Sequence, residues 1–529
     1  MAAKLKIPTI PERERTPLVC ALLEIIQFQQ EQIQELRDEI ARLKGQKPKP
    51  KIRPSALEND GGDKNNQPGS GKRPGSAKRR KALTIHETVT LRAHDVPEGS
   101  RFKGYEEFTV QGLVFRPHNK LYRRERWQTP QGDSIVAPLP RDVKLPCGHF
   151  DVPLQSFIMH QYHHCHVTQP LILEQLLELG VDISAGQINR IITEGKASFH
   201  KEKDEILRVG LQASTHVNVD DTGARHKGKN GYCTHIGNEM FAWFQSTAHK
   251  SRMNFLELLR PDGPGYTVNN DALEYMKDRK LPRAHLERLI NAGKIVCDDQ
   301  AAWNRTLESL GITNSRHVRI ATESAVLGSV LAHDTLNPDL VIVSDDAGQF
   351  DILVHALCWI HAERSIKKLV GFNDAQREAV AEVRTKIWEF YGDLRTYKQK
   401  PHPRKRAALE RRFERIFTTR TCYATLNQAL MRIHRNKGEL LLVLERPDIP
   451  LHNNSSERDI REYVKKRKIS GSTRSDLGRR CRDTFPSLKK TCRKLGLGFW
   501  EYLNDRVSGV NAIPWLPDLL KQRLAASLE

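Results

Sequence analysis

The chain has 529 residues, 38% hydrophobic and 28% charged, with a formal net charge of +21 from 85 Lys+Arg against 64 Asp+Glu. That length predicts roughly three or four units rather than one compact domain, and the cationic surplus argues for a polyanionic partner, since neutralising phosphates releases condensed counterions. Nine cysteines with no CxxC pair speak against a disulfide framework or zinc ribbon. With no apolar run of about 18 residues and no signal-peptide pattern, a soluble protein without membrane contact is expected, cytoplasmic and nucleoid-associated.

Residues 1–44 read as an N-terminal helix. Val19, Ile26, Ile33 and Ile40 share one heptad position, and Leu22, Gln29, Leu36 and Leu43 lie three residues later. Ile at a with Leu at d favours a two-stranded coiled coil, whose register Gln29 would restrict. A homodimer or higher assembly on DNA follows from it, although a helix packed on its own domain would carry the same stripe. Residues 45–82 change to Lys, Pro, Gly, Ser and Asn. They can bury too little apolar surface to offset their ordering entropy, which predicts a disordered basic linker. Over 83–150, ThrValThrLeu, GluPheThrValGlnGlyLeuValPhe and LeuTyrArgArgGluArgTrp alternate apolar with polar residues, predicting a small β-rich module. Its Arg116, Lys120, Arg123, Arg124 and Arg126 suit DNA or a solvated strand face equally well.

Residues 151–210 read as helical. LeuIleLeuGluGlnLeuLeuGluLeuGly (171–180) is a helix closed by Gly180, and Ser184 is placed to cap a second, AlaGlyGlnIleAsnArgIleIleThrGlu (185–194). Two short helices and a tight turn fit a helix-turn-helix, in which Gln187, Asn189 and Arg190 would face base edges or phosphates. A helical hairpin with no DNA role has the same pattern. The nearby Cys147, His149, His160, His163, His164, Cys165 and His166 match no standard zinc spacing and read as structural.

Strand candidates follow at ThrHisValAsnValAspAspThr, GlyTyrCysThrHisIleGly and MetPheAlaTrpPheGln within 214–248. After an extra subdomain at 251–335 come LeuValIleValSerAspAsp (340–346) and ValHisAlaLeuCysTrpIle (354–360). Residues 211–369 thus hold the first part of a core, 370–445 a charged helical insertion, and 446–529 its completion, a Glu-bearing helix with basic C-terminal helices. Three antiparallel strands followed by two that alternate with helices is the order of a ribonuclease H-like fold. The expected class is α/β, with that core behind a coiled coil, a small β module and a helical DNA-binding region.

Isolated carboxylates at strand ends gather ligands for hard cations, because oxygen suits magnesium and a strand end opens into a crevice. Asp220 follows ThrHisValAsnVal, Asp345 follows LeuValIleValSer, and Glu457 lies in HisAsnAsnSerSerGluArgAspIleArg (452–461). A ribonuclease H-like site would use them to hold two Mg2+ ions, or Mn2+, about 3.5–4 Å apart. Asp221 adjoins Asp220 and Asp346 adjoins Asp345; strand alternation sends neighbours to opposite faces, so one of each pair would be the ligand and the other a structural or supporting group. Asp298–Asp299, after LysIleValCys, is a rival pair. Arg458, Arg461, Lys465, Lys466, Arg467, Lys468 and Arg474 open a cation-dense stretch suited to DNA phosphates, which position without reading sequence. His361 and Arg364 begin a helix near the site, anchoring it with phosphate contact in reach.

Residues 150–505 resemble the DDE transposases of the insertion-sequence sixty-six type. ValAspAspThrGly (219–223) is similar to that family's AspGluThr block, with Asp221 in place of Glu; SerAspAspAlaGlyGlnPhe (344–350) is similar to its second-aspartate block. CysTrpIleHisAlaGluArg (358–364) resembles its CysTrp-x-His-x-x-Arg signature. The run 452–461, followed by ArgLysIleSerGlySer (467–472), resembles its AspAsnAsn-x-x-GluArg helix, with His452 in place of Asp. The resemblance implies Asp220, Asp345 and Glu457 as a catalytic and metal-binding triad, 3′-end cleavage of an insertion sequence, and strand transfer. It implies double-stranded DNA as partner, both element ends and target, and small accessory proteins of the same element. The zinc finger common upstream in that family is not visible. A ribonuclease H-like structure-specific nuclease and an inactive DNA-binding relic are the alternative readings.

Overall fold

A computed structural model describes residues 84–91, 97–98, 100–103, 105–139, 149–260, 265–332 and 336–526, with single positions between 16 and 29. The chain divides into two units, Ile25–Phe115 and the larger Met1–Glu24 with Arg116–Glu529. Among the described residues of the smaller unit, those from 84 onward form neither helix nor strand, and Phe108, Leu113 and Val114 are exposed. Alternation alone does not make a sheet where no neighbouring strand or apolar face accepts it. In the larger unit, the expected β-rich module contributes a single hairpin among the described residues, β1 (Arg126–Gln128) with β2 (Ser134–Val136). Leu18, Val19, Leu22, Ile25, Ile26 and Gln29 are helical. The heptad positions Ile33, Leu36, Ile40 and Leu43, and the linker at 45–82, lie outside the described residues.

Four helices precede the main sheet: α1 (Val152–His163), α2 (Gln169–Glu178), α3 (Ala185–Thr193) and α4 (Ala197–Ala213). Ser184 begins α3 as expected, accepting from Gln187 N while the Gln187 side chain accepts from Ser184 N at 2.8 Å. This reciprocal cap satisfies two otherwise orphaned donors. Gly180, at φ +80°, turns the chain after α2.

The protein is mixed α/β and mostly helical, around a five-stranded sheet. β3 (His216–His226), β4 (Lys229–Gly237) and β5 (Ala242–Thr247) form an antiparallel meander. A subdomain with α5 (Arg252–Leu259), α6 (Asn270–Asp278), α7 (Arg283–Asn291), α8 (Gln300–Ser309) and α9 (Ser315–Ala332) follows. It carries its own small sheet, β6 (Tyr266–Val268) against β7 (Ile295–Cys297). The rival pair Asp298–Asp299 ends β7, in this separate sheet, where Asp299 caps α8 by accepting from Ala302 N at 2.7 Å. The chain then returns to the main sheet with β8 (Val341–Ser344), parallel to β3, and β9 (Val354–Leu357), parallel to β8, giving the order β5-β4-β3-β8-β9.

Alternation along the strands sorts side chains between two cores. Val217, Val219 and Ile342 enter the large core shared with α4 and α9. Val341 and Val343 point the other way, into a core built by α11 (Asp374–Gln399), α12 (Pro403–Phe417) and α13 (Ala424–Arg435) around Trp359. Cys358 ends the strand rather than continuing it, and caps α10 (Trp359–Lys367), so Trp359 and Ile360 are helical. Trp359 donates its indole N–H to Leu440 O at 2.9 Å, on the short helix α14 (Lys437–Leu441).

α15 (Asn454–Ser470) crosses the same face of β3–β5, with Ile460 and Tyr463 packed on Cys233, Ala242 and Phe244. One side chain fixes where it starts. Asn453, 1% exposed, donates to Val219 O at 2.7 Å and accepts from Asn218 Nδ2 at 3.0 Å, while its backbone N–H points at Cys358 Sγ at 3.2 Å. Next, α16 (Asp476–Lys494) covers the edge of β5. The N–H groups of Ala242, Phe244 and Ser246 donate to Thr491, Ser487 and Asp483 side chains at 3.2, 2.9 and 2.9 Å. Two strand residues rise about 6.8 Å and four helix residues about 6 Å, so the two periods run in step and the edge is protected. α17 (Phe499–Ser508) and α18 (Leu516–Ala526) close the large core. Among the described residues no helix is long and apolar enough to cross a membrane.

Replacing Asn453 by Ala leaves the Val219 carbonyl and the Asn218 amide buried without their partner. The variant is expected to lose about 3 kcal/mol of stability in urea unfolding, whereas a loss within about 0.5 kcal/mol, the range of an ordinary surface change, would show that Asn453 does not anchor α15.

Candidate active site

Register brings two of the expected carboxylates to one face. β3 and β8 pair Asn218 with Val343; Asp220 lies two residues further along β3, and Asp345 directly follows Ser344, the last residue of β8, near enough for its charge to act on Asp220. Asn218 turns toward Asn453 at the start of α15, so Asp220, two residues on, shares that face. Glu457 occupies the first turn of α15, where a carboxylate also meets the positive end of the helix dipole.

Burial holds the Asp220 carboxyl up at about 7, and the negative charges of Asp345, Asp221 and Glu457 push in the same direction. Its Oδ1 accepts from the backbone N–H of Asp221 at 2.7 Å. Asp345 Oδ1 is buried with no hydrogen-bond partner. Glu457 is held by Arg364, whose Nη1 donates to Oε1 at 2.8 Å and Nη2 to Oε2 at 3.4 Å; His361 Nε2 lies 3.4 Å from Oε1 and Arg461 3.7 Å from Oε2. An orphaned carboxylate oxygen beside a desolvated carboxyl is what a hard cation would relieve. Asp220 and Asp345 therefore have the chemistry of hard-cation ligands, whereas Glu457 is engaged by Arg364 and, among the described residues, the three do not form a group whose ligand atoms all lie within 4.8 Å of one another.

The two neighbouring aspartates are placed differently. Asp221 accepts from Thr234 Oγ1 at 2.5 Å and Gln349 Nε2 at 3.1 Å, with Lys250 at 4.0 Å. Burial raises its pKa, against the pull of Thr234. Asp346 is exposed beyond β8; burial first, then Glu439, raises its pKa. His361 has its pKa lowered by burial and keeps a buried Nδ1 without a partner.

A cleft of about 490 Å³ opens at Glu457, lined by Arg364, His452, Asn454, Arg458 and Arg461. Arg458, Arg461, Lys465 and Lys468 are exposed along one face of α15, and Arg474 is exposed beyond it. Lys466 and Arg467 turn inward instead. Lys466 is buried, donates to Tyr162 O at 2.8 Å and sits 3.4 Å from the Tyr162 ring centre; burial, with Arg482 and Lys489 nearby, lowers its pKa to about 7. Arg467 donates to Thr222 Oγ1 at 3.3 Å and to Gly223 O, tying α15 to β3. Likewise Lys490 and Lys494 face Asp459 at 3.4 and 2.5 Å, and Lys489 pairs with Glu462. The dense charge after Glu457 thus divides into an internal set and an external stripe.

In the helix pair α2–α3, Gln187 is engaged by its capping role, Asn189 accepts from Gln169 Nε2 at 3.2 Å, and Asn189 and Arg190 are exposed. Ile188, Ile191 and Ile192 bury the opposite face. Of the His/Cys cluster, Cys147 lies outside the described residues; His163 is buried against Phe485 with ring centres 3.9 Å apart, and His166 lies 2.7 Å from Glu462 Oε1.

Sequence reasoning did not single out Asp351, His355 and Glu439, whose ligand atoms lie within 4.8 Å of one another. His355 Nδ1 already meets Glu439 at 2.8 Å and Nε2 meets Ser344 Oγ at 2.8 Å, while Arg279 and Arg252 hold Asp351 at 2.7 and 3.5 Å. The trio's charges are matched within the protein. Nor did it identify Asn453 as the residue that seats α15, though the residue stands within the run 452–461.

A profile of the family described as Transposase IS66 family matches residues 330–480, which span Asp345, the CysTrpIleHisAlaGluArg run and Glu457. An uncharacterized protein, y4jO, of Sinorhizobium fredii is 46% identical over 304 residues, 57% of this chain and 94% of the relative. The profile gives the family: the chain belongs to the IS66 family of transposases.

Proposed function

We propose that this transposase is of the DDE type, with a ribonuclease H-like core in which Asp220, Asp345 and Glu457 are the catalytic and metal-binding residues. The observation that carries the reading is the buried Oδ1 of Asp345, which has no hydrogen-bond partner, just past the strand parallel to β3, with Glu457 in the first turn of the helix that Asn453 seats on β3. When bound, two Mg2+ ions (Mn2+ as substitute) would supply charge neutralisation to the attacking and leaving oxygens of a phosphodiester. Asp220 and Asp345 would hold them from adjacent strands, and Glu457 from the helix across.

Two displacements follow. In the first, a water oxygen bonds to phosphorus at the element's end and the 3′ oxygen departs, taking up a proton. In the second, that 3′-hydroxyl bonds to a target phosphorus and displaces the target's own 3′ oxygen, so no covalent protein intermediate is needed. The external stripe Arg458, Arg461, Lys465 and Lys468 runs from the cleft and would hold duplex phosphates, with Arg474 beyond it and Asn189 and Arg190 of α3 as further contacts. A homodimer through the N-terminal heptad, accessory proteins and a nucleoid location belong to the same proposal.

The isosteric changes Asp220→Asn, Asp345→Asn and Glu457→Gln are each expected to lower cleavage by at least about a thousandfold while end binding in gel-shift assays is kept. Cleavage surviving in any one variant removes that residue from the site, and cleavage without joining into supercoiled plasmid would favour the nuclease reading.

A carboxyl with a folded pKa near 7, against 3.8 unperturbed, destabilises the fold once ionised. The cost is absent below the unfolded value, grows as pH rises, and is complete above the folded one. Asp220→Asn should therefore stabilise the protein by about 4 kcal/mol at pH 8, with the gain shrinking to less than half of that toward pH 5. Urea midpoints at the two pH values check this, and a pH-independent difference would contradict it. Mn2+ binding to the unaltered protein should weaken about tenfold per pH unit below 7, because the cation must displace that proton.

A further inference from the structure

Glu457 and the two aspartates differ in their company. Among the described residues, Asp345 Oδ1 has no partner and Asp220 accepts from one backbone N–H. Glu457, by contrast, sits among cations, and the Arg364 guanidinium faces both of its carboxylate oxygens, at 2.8 and 3.4 Å. A fork-to-fork pair of this kind covers the same oxygens a metal ion would use.

The Arg364 side chain is 42% exposed and opens on the cleft that Arg458 and Arg461 also line. Ion pairs this exposed are held weakly, since water screens them. A phosphodiester presents the same two-oxygen geometry as a carboxylate, which suits the planar guanidinium equally well. Two acceptors of one shape therefore compete for one donor at the mouth of the cleft.

We propose that Arg364 is a placeholder cation that occupies Glu457 until a DNA phosphate enters the cleft, then transfers its two hydrogen bonds to that phosphate and releases the carboxylate to the metal. The inference rests on the reading of Glu457 as a metal ligand. Its consequence is coupling: DNA tightens metal binding, and by linkage metal tightens DNA binding equally. Metal would not assemble fully at the site before a substrate is present. Arg364 is in this role a positioning residue acting through Glu457.

The test is Mn2+ titration followed by electron paramagnetic resonance, at low ionic strength, with and without a blunt DNA duplex of arbitrary sequence. In the unaltered protein the duplex should tighten Mn2+ binding about tenfold. In Arg364→Gln, binding without DNA should already be tighter by a similar factor, and the duplex should add little. Arg364→Lys, which keeps the charge without the fork, should also lose most of the coupling and carries the test if the Gln variant melts early. Mn2+ binding in Arg364→Gln that is unchanged or weaker without DNA would overturn the proposal and make Arg364 a support that holds Glu457 in place. Asp345→Asn separates the two levels. If Mn2+ binding with the duplex ignores that change, the metal reading of the triad has failed, not merely the exchange.

Discussion

Asn453 is the joint on which the site depends. Its side chain closes hydrogen bonds to Val219 and Asn218 on β3, and its backbone meets Cys358 at the end of β9. The start of α15 is thereby fixed against two strands, and the first helical turn delivers Glu457 to the face that carries Asp220. Backbone support comes from Trp359, whose N–H donates to Leu451 O at 3.0 Å. An amide serves here because it donates and accepts at once, whereas a carboxylate, which only accepts, would leave the Val219 carbonyl unmatched.

Electrostatics divides the rest of the molecule. Burial holds the Asp220 carboxyl near 7, and the charges of Asp345, Asp221 and Glu457 push the same way. The cations of α15 and α16 split by helical face. Lys466 and Arg467 tie α15 to α1 and to β3, and Lys490 and Lys494 of α16 pair with Asp459 of α15, while Arg458, Arg461, Lys465 and Lys468 remain outside. A buried ammonium over the Tyr162 ring, with a pKa lowered to about 7, makes a packing contact rather than a phosphate contact.

The five strands of the main sheet were legible because each carries period-2 alternation or a short apolar run bounded by turns, and Ser184 was legible as a cap because its chemistry is local. The alternation at 107–115 misled for the converse reason: pattern without a partner leaves Phe108 and Val114 in solvent. In the run 354–360, the β-prone residues Cys358 and Trp359 disguised a helix start that Trp359's bond to Leu440 decides. Which lysines face inward was not legible at all, since Lys466 meets Tyr162 across 304 residues. The seating of Asn453 likewise depends on strands 234 and 235 positions away.

The central claim is that Asp220, Asp345 and Glu457 hold one pair of cations. Anomalous scattering from Mn2+ in crystals of the protein with a DNA duplex tests it most directly. Two peaks roughly 3.5–4 Å apart, each within bonding distance of these carboxylates, are the predicted result. Manganese at Asp351, His355 and Glu439 instead, or none beside Asp220, would contradict the account.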